Sequence, residues 1–173
     1  MFPVGEAGAI FLLIAPGASA AGTGEAQVAK ADDSYASYYN PAGLGFQNRA
    51  GMAGMHVNWL PNLADDIFYD FLAFRKHVDN IGTFGGHIIY LNLGEQMGMD
   101  EMGNETGQFK SYMWALALSY GTKISSNSSV GVCFLFPRLK VSSTYRDVCC
   151  MNEGTIRISI ASKIIILSKY IFI

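Results

Sequence analysis

The stretch SYMWALALSYG, residues 111–121, decides the fold class. Tyr112, Trp114, Leu116, Leu118 and Tyr120 fall on one side of an extended chain. Ser111, Met113, Ala115, Ala117 and Ser119 fall on the other, because successive side chains of a strand point to opposite faces. One face is apolar with aromatics at both ends, and the other is small and weakly polar. A lipid-facing strand of a membrane barrel has this form, with aromatic girdles at the two interfaces. A sandwich strand with one buried face alternates in the same way. Taken alone the strand favours the sandwich, because soluble sheets are commoner.

Working outward, the same texture recurs from residue 51. Met55, Val57 and Trp59 share a face of a first strand, and LPNLADD (60–66) connects it to IFYDFLAFRK (67–76). HVDNIG turns the chain into TFGGHIIYLNL (83–93). GEQMGMDEMGNETGQ (94–108) reads as a long polar loop from its four glycines and four acidic residues. TKISSNSS makes a short turn before VGVCFLF alternates again.

Composition agrees with a β-protein. Half of the 173 residues are hydrophobic and only 15% are charged, fewer than is usual for soluble domains. Nineteen glycines, nine tyrosines and eleven phenylalanines accompany that apolar character, yet no run is long enough for a membrane helix. Barrel strands alternate and so escape hydropathy scans. A formal net charge of −2 gives no nucleic-acid footprint. AIFLLIAPGASA (9–20) imitates a signal peptide but lacks the basic residues that should precede it, so no signal is recognisable.

Residues 1–50 do not alternate. Helix formers run from Glu25 to Lys30, and Asp32 or Asp33 is placed to cap a second short helix that must end before Pro41. In SYYNPAGLGF (37–46), Pro41 forces Asn40 out of the helical region, and Gly43 and Gly45 permit positive φ. The expectation is a sharp, rigid reversal anchored by Tyr38, Tyr39 and Phe46. Taken alone, these residues favour a plain structural turn.

The segment 138–173 differs from all of this. It holds only Gly154, six basic and two acidic residues, and two of the three cysteines. By composition it reads as an atypical tail, the product of a frameshift or read-through. The expected organisation is therefore a plug-like segment 1–50, a partial barrel of about five strands over 51–137, and the tail.

No catalytic constellation emerges. Asp32–Asp33 and Asp65–Asp66 are adjacent carboxylates, whereas an acid/base pair must face one substrate from opposite sides. His56, His77 and His87 are isolated, with His87 expected to be packed or lumen-facing. Asp100, Glu101, Asn104 and Glu105 lack calcium-loop spacing, because Met102 and Gly103 break it. GTGEAQ lacks the third glycine and the preceding strand of a dinucleotide fingerprint. Cys133, Cys149 and Cys150 form neither a disulfide framework nor a metal pattern. The expectation is a non-enzymatic protein with no cofactor and no metal.

The ordered series FLLIAPGASAAGTGEAQVAKADD, YYNPAGL, VNWLPNLADDIFYDFLAF, GTFGGHIIYLNLGE, ETGQF and ALALSYGTKISSNSSVGV resembles the PorV/PorQ family over about residues 5–136. That family is a FadL-like branch of outer-membrane β-barrels associated with type IX secretion. Ala18-Ser19-Ala20 stands where the family usually carries an arginine-bearing motif. The resemblance implies an antiparallel up-and-down transmembrane barrel of about fourteen strands with a short helical N-terminal plug, of which this chain can supply only a fragment. It implies location in the bacterial outer membrane and a role in handling or anchoring type IX cargo. The implied partners are outer-membrane lipid and secreted cargo or secretion-system components. Asn40, Pro41, Ala42 and Gly43 then shape the plug, and Tyr112, Trp114 and Tyr120 form a lipid-facing girdle. The connections around Pro61–Asp66 and Gly94–Gln108 become candidate contact surfaces. The alternative is a FadL-like channel for hydrophobic small molecules, with Tyr38, Tyr39 and Phe46 lining the lumen or ligand route. A small soluble β-domain is the third reading.

Overall fold

The structure is a computed structural model that describes residues 10–59, 66–100, 102–143, 146–150, 155–162 and 166–172. The alternating segments form an antiparallel meander of β1 (Gly51–Asn58), β2 (Ile67–Val78), β3 (Gly82–Met99), β4 (Glu105–Ser125) and β5 (Ser128–Ser143). Three further strands follow, namely β6 (Arg146–Cys150), β7 (Thr155–Ser162) and β8 (Ile166–Phe172). The sheet is mainly up-and-down in order, β1-β2-β3-β4-β5-β7-β8, and among the described residues it does not close on itself. It has the form of a fragment of a barrel wall.

β6 and β7 lie in one row, along successive stretches of the same edge of β5. Leu139 pairs Cys150 in the first ladder and Leu135 pairs Thr155 in the second. The register shifts by one residue between them, and Pro137 of β5 stands at that break. Proline has no N–H to give to a ladder, so it is tolerated where pairing is already interrupted.

Register fixes what each face carries. Along the outer face run rows such as Leu72, Ile88, Leu116, Phe136 and Phe74, Gly86, Leu118, Phe134. Along the inner face run Ala73, His87, Ala117, Leu135 and, nearer the short turns, Thr83, Gly121, Gly131, Ser159. A slip of one residue would exchange the two sets, so the alternation of residues 111–121 specifies the register strongly. Met55, grouped in sequence with Val57 and Trp59, packs on the inner side against the cluster of Phe11, Tyr69, Phe71, Ile89 and Leu91.

The N-terminal segment covers the inner face in short pieces. They are a 3₁₀ turn at Ile10–Leu13, α1 (Ala18–Gly22), α2 (Gln27–Lys30), α3 (Ala36–Tyr39) and a 3₁₀ helix at Pro41–Phe46. Left-handed residues set some of the boundaries. Gly17 (φ 101°) precedes α1, Gly24 (φ 63°) follows it, and Ala31 (φ 33°) ends α2. Asp33 does not cap α3 directly. Its Oδ1 accepts the Tyr35 N–H at 2.9 Å, a local turn one step earlier, and Tyr35 takes the cap position. The helix stops at Tyr39 because the residue before Pro41 cannot stay helical.

The acidic stretch 94–108 is not a loop. β3 and β4 continue through it as a two-stranded ribbon, paired from Glu95↔Lys110 to Met99↔Glu105 around a tight turn. Glycines and acids are typical of loops in composition, but the ladder and the Lys110–Glu95 ion pair (2.6 Å) supply order that composition does not report. The other expected contact segment, Pro61–Asp66, lies outside the described residues except for Asp66.

Candidate functional site

The site is the seat where residues 40–46 meet the wall. Asn40 opens the 3₁₀ helix with its Oδ1 accepting the Ala42 N–H at 3.2 Å, and Pro41 takes the first helical position. A proline there loses no bond, since that N–H has no intrahelical partner. The Asn40 amide reaches back to donate to the Val28 carbonyl at 3.2 Å, tying α2 to the motif. Asn40, Pro41, Ala42, Gly43 and Leu44 are all buried.

Gly43 and Gly45 do not use positive φ, contrary to the sequence-based expectation. They are glycines because of close approach. A Cβ on Gly43 would stand 2.5 Å from the Ala31 Cβ, and one on Gly45 would stand 2.8 Å from the Ser129 Cβ and the Thr122 carbonyl carbon. The wall answers with glycines of its own. A Cβ on Gly121 would fall 2.6 Å from the Pro41 carbonyl oxygen, and one on Gly131 would run into Pro41 and Ala42. Gly121 and Gly131 are direct cross-strand partners, so together they form one flat depression. Gly85 adds the wall for the fully buried Leu44. Burying that leucine contributes about 1.5–3 kcal/mol.

Hydrogen bonds sew the plug to the sheet. Ser129 Oγ donates to the Ala42 carbonyl (2.7 Å), and Thr83 Oγ1 donates to the Gln47 carbonyl (2.8 Å). Arg75 donates to the Gln47 side-chain oxygen and to the Asp32 carbonyl (2.8 Å). Gln47 Nε2 donates in turn to the carbonyls of Ala31 (2.7 Å) and Asp33 (3.0 Å). His87 is buried and faces the plug, with Nδ1 3.1 Å from Ser37 Oγ and its ring stacked on Phe71.

Tyr38 and Tyr39 brace the plug internally. Tyr38 donates to the Leu12 carbonyl (2.6 Å) and Tyr39 to the Pro16 carbonyl (2.7 Å), so both hold the first residues of the plug onto α3. Burial first, then the charge of Glu25, pushes the Tyr39 phenol up to about 12. Phe46 stands apart from them, exposed at the short-turn end with Lys123 over its ring at 6.0 Å.

The opposite side of the wall carries the aromatics. Leu116, Leu118, Phe74, Phe84, Ile88, Phe134 and Phe136 are exposed along it. Tyr112 stacks on Tyr90 (6.0 Å), Tyr90 meets Phe68 (5.9 Å) and Phe68 meets His56 (5.8 Å), a chain of rings across four strands. Trp114 is the cross-strand partner of Tyr90. At the other end Tyr120 meets Phe84 at 5.1 Å and donates to the Ile81 carbonyl.

A sheet apolar outside between two aromatic bands, and small, polar and filled from the N-terminus inside, is the plugged wall of an outer-membrane β-barrel. The family model for the type IX secretion system protein PorV matches residues 4–164, and the chain belongs to that family. The match takes in most of the segment that composition sets apart. No curated protein matches the chain.

Sequence reading singled out residues 40–43 but not the wall residues they meet. Gly85, Gly121 and Gly131 lie inside segments read as strands and Ser129 in the segment read as a turn, and the only available signal was that Gly121 and Gly131 flank that same turn.

Proposed function

We propose that this chain supplies the plugged wall of an outer-membrane barrel that handles or anchors type IX secretion cargo, without chemistry of its own. The outer face meets lipid, with Tyr112 and Trp114 at one interface and Tyr120 at the other. Tyr112 and Tyr120 are eight residues apart, roughly 27 Å along a strand. A tilt of about 40° reduces that to ~21 Å, close to the ~25 Å apolar band of such barrels.

The bonding of the plug carries this reading. A channel for hydrophobic molecules needs an apolar route beside its plug. Here Tyr38 and Tyr39 are turned to the plug's own carbonyls, and Pro41–Leu44 is interlocked with the wall glycines. The inner side is a filled scaffold, which leaves the surface beyond the membrane for partners. The β3–β4 ribbon stands at the end with the long connections, the outward end in bacterial barrels.

The test is made in a bacterium with a type IX system whose own copy is replaced by one lacking the ribbon. Cargo on the cell surface and in the medium is measured beside uptake of a long-chain fatty acid. Loss of cargo export with uptake unchanged is expected. Unchanged export with lost uptake would overturn the proposal in favour of the channel.

A further inference from the structure

The β3–β4 ribbon stands beyond its neighbours. β2 accompanies β3 only as far as Ile67↔Leu93, and β5 accompanies β4 only as far as Ser111↔Val141. Past those points the two strands pair only with each other among the described residues. Alternate residues of each strand therefore turn their N–H and C=O outward along two open edges. The ribbon starts at Gly94, which takes φ 72° at a register shift. Asp66 fixes that point by accepting the Glu95 N–H (2.8 Å) and, through its carbonyl, the Asn92 amide (2.7 Å).

Edges of this kind are normally guarded by proline or by a free lysine. This one has no proline, and its lysine, Lys110, is held by Glu95 across the ribbon. Gly103 and Gly107 have nothing near where a Cβ would stand. Met97, Met99 and Met102 are exposed at 44%, 68% and 89%. Methionine is a soft, adaptable contact for peptide partners. Residues 94–110 also carry Glu95, Asp100, Glu101 and Glu105 against Lys110. Asp100 accepts the N–H groups of Met102 (2.9 Å) and Asn104 (2.7 Å), and these turn bonds, with Asn104 first, hold its carboxyl below the usual range.

We propose that the ribbon at residues 94–110 docks an extended polypeptide segment alternating basic and apolar side chains, taken as an added strand along its edge. The open backbone supplies the hydrogen bonds, the methionines take the apolar side chains, and the acids take the basic ones. This mode of recognition needs only an exposed edge and alternate side-chain contacts. A second copy is disfavoured, since two acidic ribbons repel, and so is an anionic lipid surface. The inference rests on the cargo-handling reading and names the partner chemistry of that surface.

The test uses the full chain in detergent micelles and a short fluorescent peptide alternating lysine with valine. An alternating glutamate–valine peptide and a lysine–valine peptide N-methylated at alternate residues serve as controls. Fluorescence anisotropy should show the lysine–valine peptide binding at least about tenfold more tightly than either control. Changing Met97, Met99 and Met102 together to serine, or Glu105→Lys alone, should each weaken it at least about fivefold. These side chains are exposed, and an unchanged circular dichroism spectrum verifies the fold of each variant. Equal binding of the three peptides, unchanged affinity in the variants, or cross-linking of the ribbon to a second copy would overturn the inference. If the peptide fails to bind while loss of the ribbon still blocks export, the cargo-handling reading stands and only this partner chemistry falls.

Discussion

Ala117 and Leu118 are neighbours in one strand and live in different surroundings. Ala117 is wholly buried beneath the plug, whereas Leu118 is 48% exposed on the other side. Along β4 the inner set is Ser111, Ala115, Ala117, Ser119 and Gly121, and the outer set is Tyr112, Trp114, Leu116, Leu118 and Tyr120. The large side chains point away from the packed side. In a soluble sandwich the reverse holds, with the bulkier residues filling the interior. Size on the exposed face and smallness on the covered face together mean that the outer surface is solvated by something other than water.

The largest effect should come from reversing the outer half of that contrast. Leu116→Arg, midway between Tyr112 and Tyr120 on the outer face, should destabilise the protein in lipid by about 2–4 kcal/mol. Urea unfolding from lipid vesicles measures this. A change within about 0.5 kcal/mol, as for ordinary surface positions, would return the sheet to the soluble class.

Filling the covered face comes next. Gly131→Leu drives a side chain into Pro41 and Ala42 and should cost about 1–3 kcal/mol. It should also expose residues 31–47 to limited proteolysis, whereas the same change at Gly103, in open space, should leave cleavage of the plug unaltered.

Asn40→Ala is smaller. It removes the cap to Ala42 and the bond to Val28, and should cost about 1 kcal/mol. Asn40→Asp should restore the cap but not the donated bond, so an intermediate midpoint is expected.

The smallest effect needs alkali. The folded phenol of Tyr39 titrates near 12, above the ordinary tyrosine value of about 10. A raised folded value means that the stability it contributes is fully present below pH ~10 and is lost as pH rises towards ~12. Plug proteolysis should therefore increase over that window. In Tyr39→Phe the increase should be reduced, against a plug already loosened at neutral pH by loss of the bond to Pro16.

What the sequence made legible follows from where the information sits. Period-two alternation is local, so strands could be read at residues 67–76, 83–93 and 111–121, with the two faces separated along the last of them. The end of α3 was legible because proline acts on its immediate neighbour. The seat was not, because Gly121 and Gly131 are explained by close approach of residues 41–45, about 75 to 90 residues away. The ribbon was hidden for the related reason that Glu95 and Lys110 stabilise each other across a turn whose composition imitates a loop. Gly43 and Gly45 were recognised as special, but the reason was misassigned, since close approach and left-handed backbone both select glycine.

One consequence follows from β6 and β7 sharing a row beside β5. Among the described residues the sheet then has seven rows rather than eight, and β1 and β8, the first and last strands of the path, run in the same direction. Such strands cannot meet each other in antiparallel fashion. Nor can an even number of alternating strands bridge them. A closed, wholly antiparallel cylinder built on this sheet must take an odd number of additional strands, so parity alone constrains any structure that completes it.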